Sequence, residues 1–134
     1  MNTEKTLLMI KPDATRNNFV GSIVKFVEEK GLNILEIKSK KLTRNEAEKF
    51  YQEHISRPFF KDLVDYICSG IIVAVCLEGE DAVKKLREFI GDTNPKNAKE
   101  GTIRNIYGKS IDENAVHGSD SLESAKREIS FFFN

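Results

Sequence analysis

The residues best suited to chemistry lie in Asn114-Ala115-Val116-His117-Gly118-Ser119-Asp120-Ser121, which holds one of the chain's two histidines. A neutral imidazole is a competent nucleophile, and the ordinary histidine pKa of about 6.5 leaves much of it neutral at pH 7. Ala115-Val116 reads as a short apolar step into His117. Asp120-Ser121-Leu122-Glu123 reads as a capping box, with Asp120 capping and Glu123 three residues on. His117 is therefore expected at a strand end beside a helix N-terminus, whose free N–H groups attract phosphate. Gly118 is expected to leave the ring uncrowded and to let the chain turn sharply. The chemistry this suggests is acceptance of a phosphoryl group. The plain alternative is a surface or core histidine that happens to precede a helix.

Other residues could serve the same end. Lys11 follows the apolar run Thr6 to Ile10, where Lys11-Pro12-Asp13 ends a strand, although a lone lysine reads first as solvated. Arg87 falls near the end of a helix, where a cation suits the dipole. Asp92 to Asn114 is a long stretch without periodicity, expected as a loop of the kind that is often functional. It carries Thr93, Arg104 and Asn114, all donors suited to phosphate. Glu128, about two turns along the last helix, could reach back to orient the imidazole. Phe59 reads as core or as a stacking platform. His54 has no partner at ligand spacing and reads as an exposed helix residue.

The elements that must position these groups can be read in order. Asn17 or Asn18 is expected to cap a helix carrying Phe19, Ile23 and Phe26, ended by Gly31. Leu32 to Leu42 alternates, with Leu35 and Ile37 on one side and Glu36, Lys38 and Lys40 on the other, which predicts a strand with one wet face. Thr43-Arg44-Asn45-Glu46 is a second capping box, opening a helix with Ala47, Phe50, Tyr51 and His54 on one face. Ser56-Arg57-Pro58 breaks it, and Phe59, Phe60, Leu63, Val64 and Ile67 continue as a short second helix, closed near Ser69-Gly70. Ile71 to Leu77 is nearly all aliphatic and predicts a central strand covered on both faces. Gly79-Glu80-Asp81 turns the chain. Val83, Leu86, Phe89 and Ile90 line the next helix, stopped by Gly91. The last helix, from Ser121, turns Leu122, Ala125, Ile129 and Phe132 or Phe133 inward. This order suits a parallel α/β sheet or, given the one-faced second strand, a ferredoxin-like sheet with helices on one side.

Composition bounds the partners. The chain has 134 residues, 40% hydrophobic and 31% charged, an ordinary globular mix read as a single domain over 1–134. Lys+Arg and Asp+Glu each total 21, so no global attraction to nucleic acid or membrane is expected. The N-terminal apolar run is too short for a signal peptide, and no stretch approaches membrane-spanning length. Cys68 and Cys76 lack CxxC spacing, and a cytoplasmic setting fits.

Five motifs then carry a resemblance: Met9-Ile10-Lys11-Pro12-Asp13, Arg57-Pro58-Phe59-Phe60, Gly91-Asp92-Thr93-Asn94-Pro95, Gly101-Thr102-Ile103-Arg104 and the His117 stretch. With the motifs in this order, the chain resembles nucleoside diphosphate kinases over almost its whole length. The resemblance implies an α+β fold: a ferredoxin-like βαββαβ core, a four-stranded antiparallel sheet with helices on one face, and a long loop before the last strand. It implies Mg²⁺-dependent ping-pong transfer of a γ-phosphoryl group from a nucleoside triphosphate to a nucleoside diphosphate. His117 is the implied nucleophile, phosphorylated on Nδ1; Glu128 orients it and Ser119 supports Glu128. Lys11, Tyr51, Arg87, Thr93, Arg104 and Asn114 match positions that contact phosphate or sugar, and Phe59 and Ile111 match the walls of the base slot. No metal-binding residues of the protein's own are implied, because the phosphates hold the Mg²⁺. A homo-oligomer is implied, a hexamer or tetramer built from dimers.

These implications agree with the chemistry of phosphoryl transfer, which needs position and cations. A stacking slot without base-edge donors tolerates every base, so broad base specificity is expected. The chain departs from the family pattern at Ala14, Asn17-Asn18 and Asn105-Ile106-Tyr107, where a carboxylate that anchors the loop is missing. A catalytically silent nucleotide-binding or regulatory homologue is the alternative function. An RNA-binding module would show aromatic residues on its central strands, and Ile71 to Leu77 has none.

Overall fold

A computed structural model describes residues 3–133. Strand β1 (Thr3–Ile10) leads into two helices, α1 (Pro12–Arg16) and α2 (Val20–Glu29), then β2 (Asn33–Lys41). Helices α3 (Arg44–Phe50) and α4 (Phe60–Ile67) precede β3 (Ile71–Glu80) and α5 (Ala82–Ile90). Helix α6 (Ile103–Tyr107), β4 (Val116–Gly118) and α7 (Leu122–Phe133) complete the described chain. The strands form one antiparallel sheet in the order β2-β3-β1-β4, so β1-α2-β2-β3-α5-β4 is the expected ferredoxin-like core. No helix among the described residues is long and apolar enough to cross a membrane.

Helices cover both faces of the sheet rather than one. Leu8, Ile10, Val73, Val75 and Leu77 pack with Ile23, Val27, Leu86 and Ile90 of α2 and α5. Leu7, Met9, Ile72 and Ala74 pack with Ala47, Phe50, Val64, Ile67 and Phe132 of α3, α4 and α7. Successive side chains of a strand point to opposite faces, so the unbroken apolar runs of β1 and β3 supply both layers. At about 25 cal/mol per Å² of apolar surface buried, each fully buried Leu or Ile in these layers contributes roughly 1.5–3 kcal/mol before the opposing chain entropy is subtracted.

Glu36 and Lys38 of β2 are exposed as alternation predicts, but the opposite face is not covered. Leu35 and Ile37 are 43% and 53% exposed. A bulge lies between Ile34 and Glu36, leaving Leu35 without a partner on β3. Ile37 pairs with Val75, but β2 is the sheet's edge and the side chain stays largely uncovered.

Side-chain capping accounts for three of the seven described helix starts, those of α3, α6 and α7. The Thr43 hydroxyl accepts from Glu46 N–H and the Glu46 carboxylate accepts from Thr43 N–H, so the predicted box is formed. Asn17 and Asn18 do not cap α2. Pro12 opens the additional helix α1, and Asn18 turns at φ +62° between the two helices, with Phe19 at the start of α2. Gly79 and Glu80 belong to β3, and Asp81 at φ +49° makes the turn. The stretch before His117 is not a bare loop: it holds a 3₁₀ turn at Pro95–Asn97 and helix α6. Thr102 caps α6, buried Ile103 anchors it, and Tyr107 meets the Phe19 ring at 4.9 Å. Ser121, not Asp120, caps α7 by accepting from Ser124 N–H at 3.0 Å, and Leu122 is exposed.

Candidate active site

His117 stands on β4 opposite Met9 of β1, with one edge of its ring toward α7. Its Nε2 lies 3.0 Å from Glu128 Oε1, and Ser119 Oγ donates to that same oxygen at 2.6 Å. Ser119 is held in turn by β1: its N–H donates to Leu7 O at 3.1 Å and its hydroxyl accepts from Leu7 N–H at 3.3 Å. The Phe50 ring packs edge-on against the imidazole at 5.4 Å.

Burial pushes the Glu128 carboxyl up, but the hydrogen bond and charge of His117, the Ser119 hydroxyl and nearby Arg127 outweigh it and hold it below the usual carboxylate range. Glu128 is therefore ionised at neutral pH and can only accept. The state of both ring nitrogens follows from that one fact. Nε2 must carry the proton it donates to Glu128, and in the neutral ring Nδ1 is left with the lone pair.

Three cations surround the same strand. Arg87 of α5 donates to Gly118 O at 3.1 Å. Arg104 of α6 donates to Gly91 O at 3.1 Å and to Val116 O at 2.9 Å, while its buried Nε has no partner among the described residues. Lys11, at the end of β1, donates to Asn114 Oδ1 at 2.8 Å, and Asn114 Nδ2 donates to Thr93 O at 3.0 Å. Burial lowers Arg104 to about 10, with the charge of Arg87 adding to it. Burial lowers Lys11 to about 8, with the charge of Arg104 adding to it against Asp13 and Asp112. Cations crowded closely enough to discourage one another's charge make a site that a polyanion relieves.

The other predicted residues are distributed unevenly. Tyr51 is buried just past α3, and burial, then the Glu128 charge, push its hydroxyl above the ordinary tyrosine value. Phe59 and Ile111 lie on separate loops, 48% and 56% exposed. The Phe59 ring meets His54 at 5.7 Å, so His54 is half-buried in a 3₁₀ turn rather than an exposed helix residue. Gly118 has a packing reason: a Cβ there would stand 2.5 Å from Ile90 Cδ1. The sharp turn falls instead at Ala115, whose φ is +73°. Sequence reasoning missed the residues that hold that turn. Asp13 Oδ2 accepts from Ala115 N–H at 3.0 Å, and Tyr66 OH donates to Asp13 Oδ1 at 2.6 Å. Asp13 lies in the Lys11-Pro12-Asp13 motif, but no local signal links it to residue 115.

Fold and site together define an α+β protein that gathers a histidine, a buried carboxylate and three cations around one strand. A family model described as nucleoside diphosphate kinase matches residues 4–134. The chain is 51% identical over 134 residues to the nucleoside diphosphate kinase of Persephonella marina, covering 100% of this chain and 96% of the relative. It is 56% identical over 131 residues to that of Wolinella succinogenes, covering 98% and 96%. A crystal structure of the Aquifex aeolicus nucleoside diphosphate kinase superposes with a TM-score of 0.95 at 42% identity, covering 99% of this chain and 96% of that one. The chain belongs to the nucleoside diphosphate kinase family.

Proposed function

We propose that this protein transfers the γ-phosphoryl group of a nucleoside triphosphate to a nucleoside diphosphate through a phosphohistidine on His117. The observation that carries this reading is the 3.0 Å pairing of Nε2 with Glu128, which leaves Nδ1 as the nucleophilic nitrogen on a strand whose neighbouring carbonyls, Val116 and Gly118, take Arg104 and Arg87. The Nδ1 lone pair attacks the γ-phosphorus, and the bond to the β–γ bridging oxygen breaks. The diphosphate leaves with that electron pair, and Nδ1 keeps the phosphoryl group. Positive charge grows on the ring as the new bond forms, and Glu128, already hydrogen-bonded to Nε2–H, stabilises it. A terminal oxygen of the acceptor diphosphate then attacks the phosphorus and restores the neutral ring. Neither half-reaction needs a proton to leave Nε2.

The remaining roles follow the same chemistry. Lys11, Arg87 and Arg104 neutralise the equatorial oxygens, and the buried Nε of Arg104, unpartnered among the described residues, suits an added anionic acceptor. Thr93, Asn114 and Tyr51 serve the phosphate and sugar end. Phe59 and Ile111, both exposed apolar side chains on loops, serve the base by stacking without edge recognition, hence broad base specificity. No group of three or more His, Cys, Asp or Glu among the described residues is arranged to hold an ion. Mg²⁺ carried by the nucleotide phosphates would supply further charge neutralisation beside Lys11, Arg87 and Arg104.

Residues 1–134 act as one domain in this reading. Exposed Leu35 and Ile37 on the edge strand β2 support assembly into a homo-oligomer built from dimers, as tetramer or hexamer. Free Cys68 and Cys76 support a reducing, cytoplasmic setting.

Incubation with γ-labelled nucleoside triphosphate should give an acid-labile, base-stable phosphoprotein that discharges to added diphosphate. His117→Ala should keep the fold and form none. Labelling undiminished in that variant would refute the nucleophile, and an unlabelled wild type that still binds nucleotide would leave a silent binding homologue.

A further inference from the structure

Resting on the phosphotransfer reading above, we infer that Asp13 and Tyr66 are positioning residues: they clamp the Ala115 turn and so set where Asn114 and His117 stand. Ala115 occupies φ +73°, a conformation that L side chains rarely adopt. It is neither glycine, asparagine nor aspartate, so its own propensity does not hold the turn. Its neighbours do. The Ala115 N–H donates to Asp13 Oδ2 at 3.0 Å, and its carbonyl accepts from Lys11 N–H at 2.8 Å. Two residues at the β1–α1 junction thus grip the turn on both sides.

Asp13 is itself locked. Tyr66 of α4 donates its hydroxyl to Asp13 Oδ1 at 2.6 Å and accepts from Asp13 N–H at 2.8 Å. The carboxylate is buried and meets two donors, Ala115 N–H and Tyr66 O–H, one on each oxygen. An amide at this position has a single acceptor oxygen and cannot serve both. The residues flanking the turn all contribute to the site. Asn114 binds Lys11 Nζ, the Val116 carbonyl takes Arg104, and His117 presents Nδ1. A shift of the turn therefore moves nucleophile and cations relative to each other, which costs in-line geometry more than ground-state binding.

Asp13 also has an electrostatic part. The groups facing the Lys11 ammonium are Arg104, which opposes its charge, and Asp13 and Asp112, which favour it, with neutral Asn114 as hydrogen-bond acceptor. Removing the Asp13 charge should make Lys11 lose its proton at lower pH.

The test compares wild type, Tyr66→Phe and Asp13→Asn. Hydrogen exchange at the Ala115 amide, read without nucleotide, should be faster in both variants. Rapid-quench phosphorylation by nucleoside triphosphate should show kcat lower by about tenfold in Tyr66→Phe with KM nearly unchanged. Adding Ala115→Gly to Tyr66→Phe should recover most of that rate, because glycine adopts positive φ without steric cost. The alkaline limb of kcat/KM should move to lower pH in Asp13→Asn and stay in place in Tyr66→Phe, a split that a merely structural role would not produce. Should Asp13→Asn fail to fold, half-buried Tyr66 still decides the matter. Wild-type exchange at Ala115 together with wild-type kcat in Tyr66→Phe would overturn the clamp. Because exchange is read without turnover, failure of the clamp and failure of the phosphotransfer reading are told apart.

Discussion

Glu128→Gln isolates the charge that prepares His117 while keeping the side chain's shape. Glu128 is almost wholly buried, and glutamine fills the same volume, so packing should change little. The amide oxygen can still accept from His117 Nε2–H, and the other end of the amide cannot accept at all. What disappears is the ionic part of a 3.0 Å hydrogen bond. A hydrogen bond to a charged group contributes about 1.5–3 kcal/mol and a neutral one about 0.5–1.5, so the loss is about 1–2 kcal/mol. That corresponds to about 5–30-fold in rate at 25 °C. The loss should fall on kcat, because the ring becomes cationic only as Nδ1 bonds to phosphorus. Rapid-quench single turnovers with labelled nucleoside triphosphate, in both directions, measure it directly. A companion readout is acid stability. The folded Glu128 value lies below its ordinary one, so this group stabilises the fold above that ordinary value and ceases to do so as pH falls through the folded value. Denaturant midpoints of Glu128→Gln should therefore lose part of their acid-side slope. A folded Glu128→Gln enzyme with phosphorylation within twofold of wild type would refute the idea that an ionised carboxylate prepares the nucleophile.

Three further outcomes follow from the site and its packing. In the free enzyme Lys11 is held at about 8, first by burial, so kcat/KM should fall as pH rises through that value, and Lys11→Met should lower kcat/KM and abolish this limb. The native state binds fewer protons at Lys11 than the unfolded chain between about 8 and the ordinary lysine value, so stability from this group should rise with pH across that window, as denaturant midpoints against pH would report. Gly118→Ala would place a methyl 2.5 Å from Ile90 Cδ1 in a closed core, destabilising by about 1–3 kcal/mol and lowering kcat by pushing β4 and His117 off α5; urea midpoints and turnover measure both.

Features whose cause lies within one turn of chain were legible from residues alone. The Thr43–Glu46 box is an example, because the two side chains and the two N–H groups they satisfy are neighbours. The all-aliphatic middle of β3 likewise implied cover on both faces, and apolar side chains from helices on each side supply it. Alternation in β2 misled, because a single bulged residue shifts the phase and an edge strand has too little cover for Leu35 and Ile37. Helix α6 lacked any periodic signal, since packing of Ile103 and Tyr107, not propensity, holds its five residues.

Residue types and their spacing were enough to supply the chemical inventory: a histidine before a helix, a carboxylate two turns into that helix, and cations at strand and helix ends. How these groups are aimed came from the fold. Glu128 chooses the tautomer of His117 across eleven residues, and Arg104 commits its fork to the carbonyls of Gly91 and Val116. Ala115 keeps its left-handed turn through Asp13, 102 residues away. Such bonds depend on direction and distance between segments remote in the chain, and neither quantity is carried by residue type.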